Sequence, residues 1–232
     1  MTVLANVGIA PYLIALETNA IVGNISGLLE GSDILIIDIP PKLRRENSEN
    51  FVAKIQMLIP HIEQSSISKV LFISSTSVFA DENNVVTEDT IMNASTESGK
   101  QLFESELLLQ QNTQFNTTIL RFGGLIGNER HPIKSLAGRE NLENPDAPIN
   151  LIHQKDCIGI ILKIIALEKW GKTYNAAAPF HPTRENFYVG NALKMTLPLP
   201  VFNHDKASVG KTIDSTNLQN DLNYQFQMPE LF

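Results

Sequence analysis

Four consecutive hydroxyl residues, Ser74, Ser75, Thr76 and Ser77, end the apolar run Lys69-Val-Leu-Phe-Ile, and Val78 and Phe79 follow at once. A β-branched, aromatic run of this kind reads as a buried parallel strand, and such a strand presents its carboxyl end to a ligand in the crevice beyond the sheet. Hydroxyls delivered there can bond a ligand oxygen, or they can satisfy the backbone of the following loop. Further along, Ser98-Gly99-Lys100 opens a helical segment with Glu104 one turn later. Lys100 would be an ordinary exposed helix residue but for its spacing from the hydroxyl strand.

The elements that must position these groups alternate along the chain. Tyr12–Leu16 and Asp33–Pro40 read as strands, the second ended by Pro40 and Pro41. A helix follows over residues 51–64, with Val52, Ile55, Ile59 and Ile62 near one face and a kink expected at Pro60. Then come the 69–75 strand, the 98–111 helix and a strand over 116–122. This β-α-β-α-β order predicts a parallel sheet with right-handed crossovers. Residues 123–150, rich in Gly, Pro, Asn and charge, read as one long loop. A helix over 155–169, a short strand at 174–178 and two further helices, 183–194 and 216–222, complete the chain, with Ser215 as the cap of the last.

Bulk properties narrow the function classes. A chain of 232 residues with 43% hydrophobic and 19% charged residues is an ordinary globular protein. Its net charge of −7 argues against a nucleic-acid partner. The single cysteine, Cys157, rules out an internal disulfide framework and a cysteine zinc site, and five histidines without paired spacing give no metal centre. The longest apolar run, Cys157–Leu167, is broken by Lys163 and too short for a bilayer, and no secretory leader opens the chain. The expectation is a cytoplasmic protein with a small-molecule substrate and no membrane partner.

Strand, hydroxyls and a lysine on the next helix resemble the short-chain dehydrogenase/reductase superfamily, in particular its extended, epimerase/dehydratase-like branch. Thr118-Ile-Leu-Arg-Phe-Gly-Gly-Leu-Ile-Gly127 is similar to that branch's sixth strand, and Asn150-Leu-Ile-His-Gln-Lys-Asp-Cys-Ile-Gly159 to the segment entering its later helix, where Asp156 would be a cap. The Arg130-His-Pro, Leu136-Ala-Gly-Arg139 and His181-Pro-Thr-Arg184 pieces look like an atypical, epimerase-like subgroup. The resemblance implies an α/β, Rossmann-like doubly wound parallel sheet with a small carboxyl-terminal lobe. Residues 1–122 would form an incomplete dinucleotide-binding domain, and 123–232 would complete the sheet and the substrate-side lobe. It implies NAD or NADP as cofactor and leaves room for a homodimer. Ser75 takes the position of the hydroxyl that polarises the substrate, and Lys100 that of the lysine holding the nicotinamide ribose. Pro40, Pro41, Ser74, Phe122, Gly123 and Leu125 become candidate cofactor neighbours. Arg130, His131, His153 and Arg184 become candidate substrate contacts.

Two family features are missing. The tyrosine that should stand four residues before the lysine is Thr96. A threonine hydroxyl ionises far above a phenol, whose pKa is about 10, so the usual proton relay is closed to it. No glycine-rich turn follows a first strand; the nearest substitute is the spacing Gly23, Gly27, Gly31, a weak signal. On the family's order, Met1–Ile9 reads as the tail of a second helix, Tyr12–Leu16 as the third strand and Asp33–Ile39 as the fourth. The expectation is an amino-terminally shortened sequence whose fourth strand has an open edge. An in-frame stop upstream of Met1 with no glycine-rich turn would sink it.

Three activities compete. The first is an NAD(P)-dependent oxidoreductase or epimerase on a sugar-like or other carbonyl substrate, with water or His131 replacing the tyrosine. The second is a catalytically disabled nucleotide-binding or regulatory protein of the same fold. The third, a hydrolase built from Ser75, His153 and Asp156, lacks the nucleophile elbow around Ser75.

Overall fold

The computed structural model describes residues 2–41, 43, 49–127 and 130–231. It opens with the short helix α1 (Thr2–Ala5), the strands β1 (Ala15–Leu16) and β2 (Ile21–Val22), and the helix α2 (Ile25–Leu29). The alternating core follows: β3 (Ile34–Ile37), α3 (Phe51–Glu63), β4 (Lys69–Ser75), a 3₁₀ turn at Thr76–Val78, β5 (Asn84–Val86), α4 (Glu97–Gln110) and β6 (Asn116–Phe122). The remainder comprises β7 (Gly124–Ile126), α5 (Ile133–Leu136), β8 (Leu151–His153), α6 (Gln154–Ala166), β9 (Thr173–Ala176), α7 (Arg184–Lys194), β10 (Lys211–Ile213) and α8 (Thr216–Leu222).

The main sheet has four strands in the order β3-β4-β6-β9. β3 and β4 are parallel, with Ile34 opposite Lys69 and Ile37 opposite Phe72. The Ile119 amide donates to the Lys172 carbonyl at 2.8 Å and the Gly123 amide to the Ala176 carbonyl at 2.9 Å. Both numbers rise together, so β6 and β9 are parallel as well. This is the expected α/β, doubly wound architecture. At one end of the sheet β3 pairs with β4 alone among the described residues, and Ile36 is 41% exposed.

The chain divides into two compact units. The first comprises residues 1–74, 94–119 and 170–172. Its helix α3 begins where the Asn50 side chain accepts the Ala53 amide at 2.9 Å, and it buries Phe51, Val52, Ile55, Leu58 and Ile62. It runs through Pro60, whose carbonyl accepts the Gln64 amide. α3 and α4 pack on each other and are pinned at both ends: Gln101 accepts the Phe51 amide at 2.7 Å, and Asn112 donates to Glu63 at 2.6 Å. Phe51 also stacks on Phe72 of β4, with ring centroids 6.4 Å apart. The strand expected over 12–16 shrinks to a two-residue antiparallel pairing, Ala15 with Val22 and Leu16 with Ile21. Leu13 is 80% exposed, so that run lacks the buried face that would hold a longer strand.

The second unit comprises residues 75–93, 120–169 and 173–232. Residues 123–150 are not one long loop. β7 pairs in parallel with β8, Gly124 opposite Leu151 and Ile126 opposite His153, and α5 follows. β5 pairs in parallel with β10, Asn84 opposite Lys211. The Asn150 side chain ties these pieces together, donating to the Lys211 carbonyl and accepting the Ile213 amide, each at 2.8 Å. The core holds Val78, Leu120, Ile133, Ile152, Ile160, Ile164, Tyr174, Ile213 and Leu222. The two units interleave along the chain.

Candidate functional site

In the first unit, β4 delivers Ser74 to a buried position where its hydroxyl donates to the Glu106 carboxylate of α4 at 2.5 Å. That proton is spent inside the protein. Thr96 is the cap of α4: its Oγ1 accepts the Gly99 amide at 3.1 Å. Lys100 lies in the first turns of α4, exposed, and its ammonium makes no hydrogen bond or ion pair among the described residues. Pro40 and Pro41 lie just past the end of β3, Pro40 exposed and Pro41 half-buried. In the Gly23, Gly27, Gly31 stretch the Gly27 amide is taken by the Asn24 side chain at 2.9 Å.

In the second unit, Ser75 is the last residue of β4, extended and half-buried. Its Oγ accepts the Ser77 amide at 3.2 Å, which fixes the oxygen and leaves the O–H able to donate outward. Phe122 is buried at the end of β6, and Leu125 is exposed on β7. Gly123 is there for backbone proximity: a Cβ at that position would lie 2.6 Å from the Asn150 carbonyl oxygen.

The substrate candidates separate. His131 stacks on Phe187 of α7 with centroids 5.7 Å apart and planes 11° from parallel. Its Nδ1 accepts the Ile133 amide, which puts the proton of the neutral ring on Nε2, a buried atom. Burial, then the nearby Lys134 charge, pushes its pKa below the ordinary histidine value. Arg184 opens the same helix; its guanidinium donates to the Glu143 carbonyl and lies 5.8 Å from the Phe202 ring centroid. Arg130 is exposed and exchanges backbone hydrogen bonds with Gly127. His153 is elsewhere, capping α6 through Nδ1, which accepts the Lys155 amide at 3.1 Å.

Asp156 is not the cap expected of it. Fully buried in the first turn of α6, its carboxylate accepts the Tyr224 hydroxyl at 2.9 Å, the Gln227 amide at 2.7 Å and the Met228 amide at 3.2 Å. It clamps the carboxyl-terminal segment, so the Ser75–His153–Asp156 hydrolase loses its orienting acid. Ser215 likewise makes no cap bond; its hydroxyl exchanges hydrogen bonds with the Ala177 backbone.

Sequence reasoning missed Glu88 and Asn175. Glu88 accepts the Asn175 amide at the outer edge of β9 at 2.7 Å. Burial pushes its pKa up, partly offset by that amide and by Arg121. Arg121, near the end of β6, is 2% exposed, lies 5.1 Å from the Phe79 ring centroid and donates to Met92 Sδ at 3.0 Å. Residues 87 apart in sequence give no local signal of such a pairing.

No protein-family model matches the chain. It is 33% identical over 226 residues to Protein YeeZ of Escherichia coli (strain K12), covering 96% of this chain and 82% of that protein. Among solved structures it is similar to a short-chain dehydrogenase/reductase superfamily protein from Agrobacterium tumefaciens with bound NAD, at a TM-score of 0.70 and 18% identity, covering 89% and 80% of the two chains. It is also similar to UDP-glucuronic acid 4-epimerase from Bacillus cereus in complex with UDP-glucuronic acid and NAD, at a TM-score of 0.72 and 16% identity, covering 88% and 73%. These likenesses bear out the fold implied by the segments 69–79 and 118–127. Among the described residues no helix is long and apolar enough to cross a membrane.

Proposed function

The chain belongs to the family of the Escherichia coli protein YeeZ, and on that premise we propose that it is an atypical NAD(P)-dependent oxidoreductase of the epimerase type, acting on a sugar-like or other carbonyl substrate. One observation carries the reading: the Ser75 hydroxyl stands at the carboxyl end of a parallel-sheet strand with its oxygen fixed and its proton available. The solved structures of this fold that hold NAD and UDP-glucuronic acid support the cofactor and the substrate class.

A nicotinamide cofactor would supply hydride transfer. Lys100, whose ammonium makes no hydrogen bond or ion pair among the described residues, would meet the ribose hydroxyls. Phe122, Gly123 and Leu125 would lie near the ring, and Pro40 and Pro41 along the diphosphate side. Ser74 has little left to offer, since its proton goes to Glu106. Ser75 would hold the reacting oxygen of the substrate, and exposed Arg130 would meet its anionic groups. His153 and Arg184 are engaged locally, as the cap of α6 and as a donor to the Glu143 carbonyl, and take no part in this reading. The proton step falls to water, because Thr96 is not a phenol and the protonated nitrogen of His131 is buried.

The second reading, a nucleotide-binding protein without turnover, is favoured by Thr96, whose hydroxyl ionises far above the phenol it replaces. Titration with NADH and NADPH, followed by a panel of carbonyl substrates, separates the two. Binding with slow turnover that Ser75→Ala abolishes supports the enzyme. Binding without turnover supports the second reading, and Thr96→Tyr should then create measurable turnover if only the relay is missing. Failure to bind either dinucleotide sinks both.

A further inference from the structure

The β6–β9 ladder sets two polar side chains next to each other. With Ile119 bonded to Lys172 and Gly123 to Ala176, Arg121 stands directly opposite Asn175, and opposite residues of parallel strands point to the same face. In that register the Asn175 amide faces the outer edge, where Glu88 takes it at 2.7 Å. The Asn175 side chain is a different matter. The residue is 0% exposed, and neither its carboxamide oxygen nor its nitrogen has a hydrogen-bond partner among the described residues. Exchanging the two atoms changes nothing, because both stand alike.

A buried carboxamide with one acceptor and two donors requires partners of small size and mixed polarity. The surroundings restrict the choice. Arg121, Glu88 and Asp214 already place charges of both signs at this strand end, and a further ion would have to be buried there at a desolvation cost that a neutral partner avoids. Complete burial of Asn175 and near-complete burial of Arg121 close the position to any group reaching in from a bound substrate. We propose that Asn175, beside Arg121, binds a single internal water molecule that is a permanent part of the fold. The water donates to the carboxamide oxygen or accepts from its nitrogen, and it holds the ends of β6 and β9 together just before Phe122 and Gly123. Internal waters of this kind make about three hydrogen bonds, which a carboxamide and its charged neighbours can supply.

The test is a high-resolution crystal structure of the full chain. A density peak about 2.7–3.2 Å from the Asn175 carboxamide, lost in Asn175→Leu while the β6–β9 ladder stays in place, is the expected result. A carboxamide bonded directly to Glu88, Arg121 or another protein group with no peak beside it overturns the proposal. So does density for anything larger than water. If Asn175→Leu does not fold, nuclear Overhauser transfer from water to the Asn175 side-chain amide of the unaltered protein decides. A cross-peak of the sign given by slowly exchanging water supports the site, and its absence overturns it.

Discussion

Replacing Asp156 by alanine should destabilise the fold by about 3–4 kcal/mol. The carboxylate accepts three hydrogen bonds, from the Tyr224 hydroxyl and the Gln227 and Met228 amides. Each bond to a charged group is worth about 1.5–3 kcal/mol, and the sum is an upper bound because Gln227 is exposed and its amide can return to water. The acidic group in the first turn of α6 adds about 0.3–1 kcal/mol through the helix dipole. For a chain of this size the loss corresponds to a Tm lowered by about 10 °C. Asp156→Asn keeps an oxygen for Tyr224 and Gln227 but sets an NH₂ against the Met228 amide, and should cost about 1–2 kcal/mol. Tyr224→Phe removes one bond and should cost about 1.5 kcal/mol. Urea unfolding gives the energies, and limited proteolysis shows whether the segment after residue 222 becomes the first cleaved. An Asp156→Ala loss within about 0.5 kcal/mol, the range of an ordinary surface change, would refute the clamp.

Three further outcomes follow from the same structure. Glu88→Gln keeps the acceptor for the Asn175 amide and removes a charge whose burial raises its pKa, so the variant should melt higher at neutral pH. That gain should disappear as the pH falls toward about 4, where the unaltered carboxyl takes its proton and the penalty vanishes; a lower Tm at pH 7 would show that attraction to Arg121 outweighs burial. Gly123→Ala forces the Asn150 carbonyl to move and should cost about 1–3 kcal/mol by chemical unfolding, while an unchanged midpoint would mean that β7 and β8 give way freely. The Tyr224 phenol is pushed up to about 12, first by burial, with the Asp156 carboxylate raising it further. A folded pKa above the unfolded value leaves stability complete below about pH 10 and loses it on the way to the raised pKa, so Tyr224→Phe should flatten that alkaline stretch of a Tm–pH curve.

The parts legible in the sequence are those whose burial repeats at a fixed period. β4, α4, β6 and α6 each carry an apolar pattern that survives without knowledge of partners, and their ends fall within a residue or a few of expectation. β7 and β8 have three residues each and exist because they pair with each other, so residues 123–150 look like loop until that pairing is known. The candidate site fails to separate for another reason. Thr96 stands where the resemblance needs a proton relay, and the first position of a helix is also where a threonine is a favoured cap. One residue type thus answers two demands at one place, and only the Gly99 amide shows which demand is met. Ser74 and Ser75 divide in the same way. Alternation along β4 turns the first inward to Glu106 and leaves the second with its proton unspent, so neighbouring serines of equal promise in the sequence differ entirely in what they can do. Glu88 and Asp156 are the converse: their partners lie 87 and about 70 residues away, and no spacing rule reaches so far. Catalytic hypotheses from a single sequence are therefore strongest where the fold leaves a polar atom unspent, and Ser75 and Lys100 are two candidates that meet that condition among the described residues.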